Sequence, residues 1–253
     1  MRIDSGDASI SHTNTSRGLA LAILFALVCV LPHEAIGAAA TFAQPEQTRH
    51  VSCGERSYEY TLFSPDAHAP LAALMLLHGA GGKGSDMVGV WKSLALREHV
   101  VLIAPQLPRE LWFEQAAPSV FRCVVADAER VVSIDAHRVY LFGYSMGGYL
   151  AFDGAMFDSD VFAAAGVYAA AINQDYDSIV DSARRKIPIA MYIGDRDQYF
   201  SLAQTRRTRA LLESHGFPVR YTELPGQDHA YAPVSDRVND DAWTYLSGFR
   251  LAL

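Results

Sequence analysis

Apolar residues along the chain fall into short runs, and these runs alternate with segments in which apolar residues recur at helical spacing. A short apolar run bounded by turn-forming residues is typical of a buried strand. Such runs predict strands over 71–77, 100–104, 139–142, 161–170, 187–193 and 219–224. Residues 56–63 alternate polar and apolar side chains, which predicts a strand at the edge of the sheet.

The segments between these strands have the spacing of amphipathic helices. Helices are predicted over 119–132, from the N-terminal cap Ser201 to Gly216, and from about residue 236 onward. Strands that alternate with helices along a chain predict an α/β domain with a mainly parallel sheet. The residues with a chemical role are then expected on the loops that follow the strands.

The strand over 139–142 ends at the sequence Gly-Tyr-Ser-Met-Gly, which a second glycine and helix-forming residues follow. This pattern is typical of a nucleophile elbow, in which a serine occupies a strained turn between a strand and a helix. Ser145 would then stand at the carboxyl edge of the sheet, where the amide of Met146 and the helix N-terminus favour negative charge. An ordinary glycine-rich turn without a chemical role is the alternative.

The first 40 residues have the pattern of a secretory signal peptide. An apolar run over 18–31 follows Arg17, and a tract of small residues ends at Ala40. Cleavage after Ala40 or Ala43 would leave a single domain, 41–253, in a secreted or periplasmic protein. The apolar run is shorter than the roughly 20 residues of a membrane span, but an uncleaved membrane anchor stays open as the alternative.

Charge and cysteine content narrow the classes of partner. The chain has a net charge of −7 and no basic runs, which argues against nucleic acid as a partner. Only Cys53 and Cys123 follow the predicted signal peptide, and in an oxidising compartment they either pair or remain two buried thiols. The sequence has no clustering of the zinc type, so no metal is expected.

A serine hydroxyl is a weak nucleophile near neutral pH and needs a base, which in turn needs an orienting acid. The loop after the strand over 187–193 offers Asp195 and Asp197, and the loop after the last strand offers Asp228 and His229. Most other histidines lie ahead of strands, in the signal segment or at a helix end, so His229 is the candidate base. Asp195 and Asp197 both suit the acid, and Asp228 suits it less because it adjoins the histidine.

A glycine loop follows the strand over 71–77 and reads His-Gly-Ala-Gly-Gly. Glycines let the backbone approach a substrate and point an amide inward. The amide of Ala80 is therefore the candidate second donor to an oxyanion, beside the amide of Met146. A phosphate-binding loop is the alternative, but the Lys-Ser/Thr ending of a P-loop is absent.

Together these motifs resemble the α/β-hydrolase superfamily, and within it the secreted esterases related to polyhydroxybutyrate depolymerases and feruloyl esterases. The resemblance rests on the segments 77–81, 134–140, 143–148, 194–197 and 226–229. It implies the α/β-hydrolase fold, with a mostly parallel sheet of about eight strands flanked by helices, and it implies no cofactor. The usual turn spacing in this family, a glycine, two residues and then the acid, favours Asp197.

The resemblance also implies a reaction. We expect a secreted serine hydrolase that cleaves carboxylic esters through an acyl-enzyme intermediate on Ser145, with a small acyl or aryl ester as its partner and no stable membrane association after signal cleavage. Trp112 and Tyr144 are the aromatic residues expected to contact that substrate. Two alternatives stay open: a peptidase or amidase on the same fold, and a binding module without catalysis.

Overall fold

One eight-stranded sheet organises the part of the chain that the structure describes. The structure is a computed structural model, and it describes residues 46–65, 69–108 and 117–252. The predicted signal peptide and Trp112 lie outside these residues. The strands are β1 (Gln47–Cys53), β2 (Arg56–Phe63), β3 (Leu71–Leu77), β4 (Val100–Pro105), β5 (Ile134–Tyr144), β6 (Ala164–Tyr168), β7 (Ile189–Gly194) and β8 (Val219–Leu224). The helices are α1 (Gly84–Glu98), α2 (Ala117–Ala128), α3 (Met146–Phe157), α4 (Leu202–Ser214) and α5 (Ser235–Leu246), with 3-10 segments at Gln174–Ser182 and Ala232–Val234.

The strands lie in the order β1-β2-β4-β3-β5-β6-β7-β8. β2 pairs antiparallel with β1 and β4, and the remaining neighbours are parallel. Alternate side chains of each strand point to opposite faces, so helices must cover both. One buried cluster packs α2, α3 and α4 on the sheet, and a second packs α1 and α5 on the other face. The predicted α/β-hydrolase fold is confirmed.

Some element boundaries differ from the predictions. The strand over 56–63 is not at the edge, because β1 lies outside β2 and pairs with it along its length. Only Val51 is buried in β1, so the apolar pattern does not predict that strand. The strand expected over 161–170 is shorter, because the residues on either side of β6 are buried in loops and not in the ladder.

A disulfide joins β1 to α2. Cys53, the last residue of β1, is bonded to Cys123 in α2, with 5.9 Å between the two Cα atoms. The pairing that the sequence leaves open is therefore present. Closing a separation of 70 residues restricts the unfolded chain, and the chain-entropy model gives about 4 kcal/mol of stabilisation for such a loop. Nearby, Tyr60 and Arg49 both hydrogen-bond to Asp127 of α2, at 2.7 and 3.2 Å, so the same contact is also held by polar groups.

α3 has a half-buried carboxyl near its middle. Asp153 lies on the same helix face as Tyr149 and Phe157, one turn away on either side. Among the residues that the structure describes, its carboxyl has no hydrogen-bond or ion-pair partner. Burial without a partner disfavours the charged form, and it raises the pKa of Asp153 from 3.8 to about 7.

Replacing Asp153 with asparagine should change how stability depends on pH. Because the folded pKa exceeds the unfolded value, the unfolded state ionises first, and the wild-type chain loses stability as pH rises from about 4 to about 7. The Asp153→Asn chain lacks this loss, so its advantage in free energy of unfolding should grow by up to roughly 4 kcal/mol over that window. Tyr149 interacts with the Asp153 carboxyl, but its own pKa is raised to about 12, chiefly by burial, so it stays neutral over this window.

Urea unfolding of both chains at about pH 5 and about pH 8 measures the effect, since the two values fall within and above the window. An advantage of the asparagine chain that is the same at both pH values would contradict the desolvated, unpartnered state of Asp153.

Candidate active site

Ser145 occupies a strained turn between β5 and α3. Its backbone has φ 55° and ψ −117°, a conformation that residues other than glycine rarely adopt. Close packing holds it there: a Cβ built on Gly143 would lie 2.0 Å from the carbonyl oxygen of Gly147, and one built on Gly147 would lie 2.1 Å from that of Leu77. The Ser145 N–H also donates to the carbonyl of Tyr168 at 2.9 Å. The side chain is thereby presented at the carboxyl edge of the sheet.

His229 reaches Ser145 from the loop after β8. Its Nε2 lies 2.9 Å from the Ser145 Oγ, which is hydrogen-bond distance. Aromatic rings surround the imidazole: its centroid lies 4.7 Å from that of Tyr199, 5.4 Å from that of Tyr144 and 6.0 Å from that of Phe200. These rings limit the positions of the imidazole and keep its Nε2 directed at the hydroxyl.

Asp197 contacts the other ring nitrogen of the same histidine. Its Oδ2 lies 2.7 Å from the His229 Nδ1. Its Oδ1 accepts the backbone N–H of Tyr199 at 2.8 Å and that of Phe200 at 2.9 Å. The carboxylate is fully buried yet hydrogen-bonded through both oxygens, so its orientation is fixed and it accepts the proton on Nδ1.

The two other candidate carboxylates bind backbone amides, Asp195 across to the loop after β8 and Asp228 within that loop. Asp195 accepts the N–H of Gly226 at 2.7 Å, and Asp228 accepts the N–H of Ala230 at 2.9 Å. Both bonds brace the loops that carry Asp197 and His229. The loops also touch directly, because a Cβ on Gly194 would lie 2.1 Å from the carbonyl oxygen of Gln227. Asp195 and Asp228 therefore hold the loops, and Asp197 is the carboxylate that meets the imidazole.

The glycine loop after β3 lies against the elbow. The N–H of Gly82 donates to the carbonyl of Gly79 at 3.0 Å, and Gly81 has φ 74°, as the third position of a type II turn requires. A Cβ built on Gly79 would lie 3.3 Å from the Cβ of Ser145. The predicted oxyanion donors, Ala80 in this loop and Met146 at the start of α3, both line the cavity that Ser145 faces.

His78 holds the glycine loop in place, a role that sequence reasoning misses. Its Nε2 accepts the N–H of Leu107 at 3.1 Å, so its proton lies on Nδ1 and is donated to the carbonyl of Gly79 at 2.8 Å. Burial lowers the pKa of His78 and keeps the ring neutral. The position of His78 between a buried strand and a glycine loop is the sequence feature that could have indicated this role.

A cavity of about 1300 Å³ opens beside Ser145 and His229. Tyr144, expected to contact substrate, lines it, whereas the expected contact Trp112 lies outside the described residues. Sequence reasoning does not single out several polar or charged residues that line it, among them Tyr149, Asp153, Tyr176 and Arg207. Two of these follow Ser145 by four and eight residues, and this helical spacing could have revealed them.

The described part of the chain comprises residues 46–65, 69–108 and 117–252. No group of three or more histidine, cysteine or acidic side chains there could hold a metal ion. None of the helices in those ranges is both long and apolar enough to span a membrane.

Comparison with known proteins gives the family. The model of the dienelactone hydrolase family matches residues 61–246. Among solved structures, a thermostable esterase is 22% identical with a TM-score of 0.66; the match covers 81% of this chain and 63% of the esterase, so the chain spans less than two thirds of that protein's length. No curated protein matches the chain at a significant level.

Two further solved structures share the fold. The fluorophosphonate-binding serine hydrolase F of Staphylococcus aureus is 16% identical with a TM-score of 0.66, over 79% of this chain and 96% of that one. Est1E from Butyrivibrio proteoclasticus is 13% identical with a TM-score of 0.61, over 79% and 99%. The narrower relation to polyhydroxybutyrate depolymerases and feruloyl esterases stays a prediction. Because the family model matches most of the chain, the chain belongs to the dienelactone hydrolase family of the α/β-hydrolase superfamily, and it is a hydrolase.

Proposed function

We propose that the protein cleaves carboxylic esters in two steps through an acyl-enzyme intermediate on Ser145. The proposal depends on one observation, the unbroken line of hydrogen bonds from Asp197 through His229 to Ser145, at 2.7 and 2.9 Å. A hydroxyl in this arrangement can lose its proton to the imidazole as it attacks. The three groups are held by separate elements, so the geometry exists before substrate binds.

In the first step the Ser145 Oγ bonds to the ester carbonyl carbon while the His229 Nε2 takes the hydroxyl proton. Asp197 stabilises the imidazolium that forms. The negative charge that develops on the carbonyl oxygen faces the amides of Ala80 and Met146 and the N-terminus of α3. When the carbon–oxygen bond to the alcohol breaks, His229 gives the proton to the departing oxygen, and the acyl group remains on Ser145.

In the second step water replaces the alcohol. His229 takes a proton from the water as its oxygen bonds to the acyl carbon, and the same two amides receive the oxyanion. Collapse of this intermediate breaks the bond to the Ser145 Oγ, which regains its proton from His229. The products are one carboxylic acid and one alcohol, and the enzyme returns to its starting state.

An ester is the proposed substrate because one of the structures with this fold is described as an esterase. A peptidase or amidase would use the same three residues, and a binding module would use none of them chemically. Hydrolysis of an ester and of the corresponding amide distinguishes an esterase from an amidase, since the two substrates differ only in the leaving group.

Export to an oxidising compartment is part of the proposal. The predicted signal peptide over 1–40 and the disulfide between Cys53 and Cys123 both support it, because disulfides persist mainly outside the cytosol. Expression of the full chain with fractionation and mass analysis tests this point. A processed chain that begins at Thr41 or Gln44 in the exported fraction is expected, and an intact chain that stays in the cytosol would contradict it.

Pre-steady-state hydrolysis of p-nitrophenyl acetate tests the two-step reaction. We expect a burst of p-nitrophenol close to one equivalent of enzyme, followed by slower turnover, because the acyl-enzyme accumulates. Ser145→Ala should remove the burst and lower kcat by on the order of 10⁶. Ser133→Ala, at an exposed serine outside the site, is the matched control and should behave as wild type.

Two results would contradict this reading. Faster hydrolysis of p-nitroacetanilide than of the ester would favour an amidase. Hydrolysis that survives Ser145→Ala would exclude the proposed nucleophile.

Asparagine substitutions at the three carboxylates test the choice of acid. Asp197→Asn should lower kcat by on the order of 10⁴, because the amide no longer favours the required tautomer of His229. Asp195→Asn and Asp228→Asn should cost less than about tenfold, since a neutral side chain oxygen still accepts the backbone N–H that each carboxylate binds. A larger loss at Asp195 than at Asp197 would show that the acid is misassigned.

A further inference from the structure

The floor of the cavity is one face of α3, and it leads away from the nucleophile. Tyr149, Asp153 and Phe157 line the cavity at intervals of four residues along this helix. Ser145 caps the helix, so Asp153 lies eight residues further on, about 12 Å along the axis. A substrate whose carbonyl sits at Ser145 and whose chain follows this face therefore reaches Asp153.

Apolar and aromatic side chains share the cavity with Asp153, beside polar ones such as Asn173 and Ser178. Phe157, Ile172 and Ile179 line the same cavity. The rings of Tyr149 and Tyr176 meet edge to face with their centroids 6.4 Å apart, and they belong to the two elements on either side of this region. Within the described residues the carboxyl of Asp153 has no hydrogen-bond or ion-pair partner. The carboxyl is half-buried and lines the cavity, so a ligand there can supply the partner that it lacks.

Arg207 is the cationic side chain that lines the described part of this cavity, and it already forms an ion pair. Arg207 Nη1 donates to both carboxylate oxygens of Asp177 at 2.7 and 2.8 Å, and its Nη2 donates to the carbonyl of Ile172. Its charge is therefore neutralised within the wall. It is the carboxyl of Asp153 that stays available to a ligand.

We infer that Asp153, with the rings of Tyr149 and Tyr176, binds a protonated amine at the far end of the substrate's acyl chain. A carboxylate beside aromatic rings suits an ammonium group, which gains both an ion pair and attraction to the rings. The inference rests on the proposed esterase reaction, and it names the substrate class: esters of acids that carry an amine roughly 10 Å from the carbonyl, since the distance of about 12 Å along the helix includes a hydrogen bond of about 3 Å. Burial also raises the pKa of Asp153 to about 7, as expected for a carboxyl with no cation beside it.

Three p-nitrophenyl esters of equal chain length test this, namely those of ω-aminooctanoate, ω-hydroxyoctanoate and nonanoate. Wild-type enzyme should show kcat/KM at least about tenfold higher for the amino ester than for the nonanoate, mainly through KM. In Asp153→Asn this ratio should fall to near one. Glu129→Gln removes one exposed carboxylate outside the cavity and is the matched control; its ratio should equal that of wild type.

The pH dependence of the same ratio separates a charged contact from mere packing. Both esters use the same His229, so its titration cancels in the ratio. The ionisable groups that line the cavity with Asp153 are Tyr149, Tyr176 and Arg207, the last paired with Asp177, and, beside Ser145, Tyr144, Tyr199 and His229. The amino preference should rise between about pH 6 and about pH 8 as Asp153 ionises, and Asp153→Asn should abolish this rise.

Several results would overturn the inference. They are a nonanoate hydrolysed as well as the amino ester, a preference that survives Asp153→Asn, and a hydroxy ester that matches the amino ester at all pH values.

A binding measurement keeps this test independent of catalysis. Ser145→Ala should bind ω-aminooctanamide more tightly than nonanamide by calorimetry, and Ser145→Ala/Asp153→Asn should not. Absence of a p-nitrophenyl acetate burst together with this binding preference would reject the esterase reaction and keep the amine site. A normal burst without any amine preference would reject the amine site alone.

Discussion

The backbone of Ser145 is the constraint on which the site depends. A positive φ at a serine is unfavourable in isolation, and it persists here because Gly143 and Gly147 allow three backbone segments to meet where no side chain fits. The same close approach brings the glycine loop against the elbow and starts α3 directly behind the nucleophile. One strained residue thus fixes the hydroxyl, the proposed oxyanion site and the floor of the cavity.

The sheet brings the remaining groups to this residue. β5, β7 and β8 are parallel, so the loops that follow them open at one edge. Asp197 and His229 lie on the last two of these loops, and close contact at Gly194 locks the loops together. Their side chains then meet Ser145 at this edge. Toward the other end of the strand order, the disulfide and the hydrogen bonds of Tyr60 and Arg49 to Asp127 hold β1 and α2 to the sheet.

Sequence reasoning works here where a local pattern has a single physical cause. The elbow, the glycine loop and the loops after β7 and β8 are local motifs, and the residues they supply lie together in the structure. Contacts between distant segments leave no such pattern. β1 has one buried residue, so the apolar pattern does not predict it. The choice between Asp195 and Asp197 depends on which partner each side chain meets. The disulfide partner of Cys53 depends on where α2 packs.

The residues that line the cavity also could not be predicted from sequence alone. Tyr149 and Asp153 are visible in the sequence as helix residues, but whether that helix face meets solvent, core or substrate depends on the 3-10 segment Gln174–Ser182 and on α4, which form the other walls. An unpartnered carboxyl is a property of the folded surroundings and not of the sequence around it.

Labelling of the purified protein with a fluorophosphonate probe, followed by mass spectrometric mapping of the modified peptide, tests the central claim most directly. The probe reacts with an activated serine and needs no knowledge of the substrate. The account predicts one modification per chain at Ser145, lost in His229→Ala because the base is gone. A folded protein that stays unmodified at Ser145, or a modification that persists at full rate in His229→Ala, would contradict it.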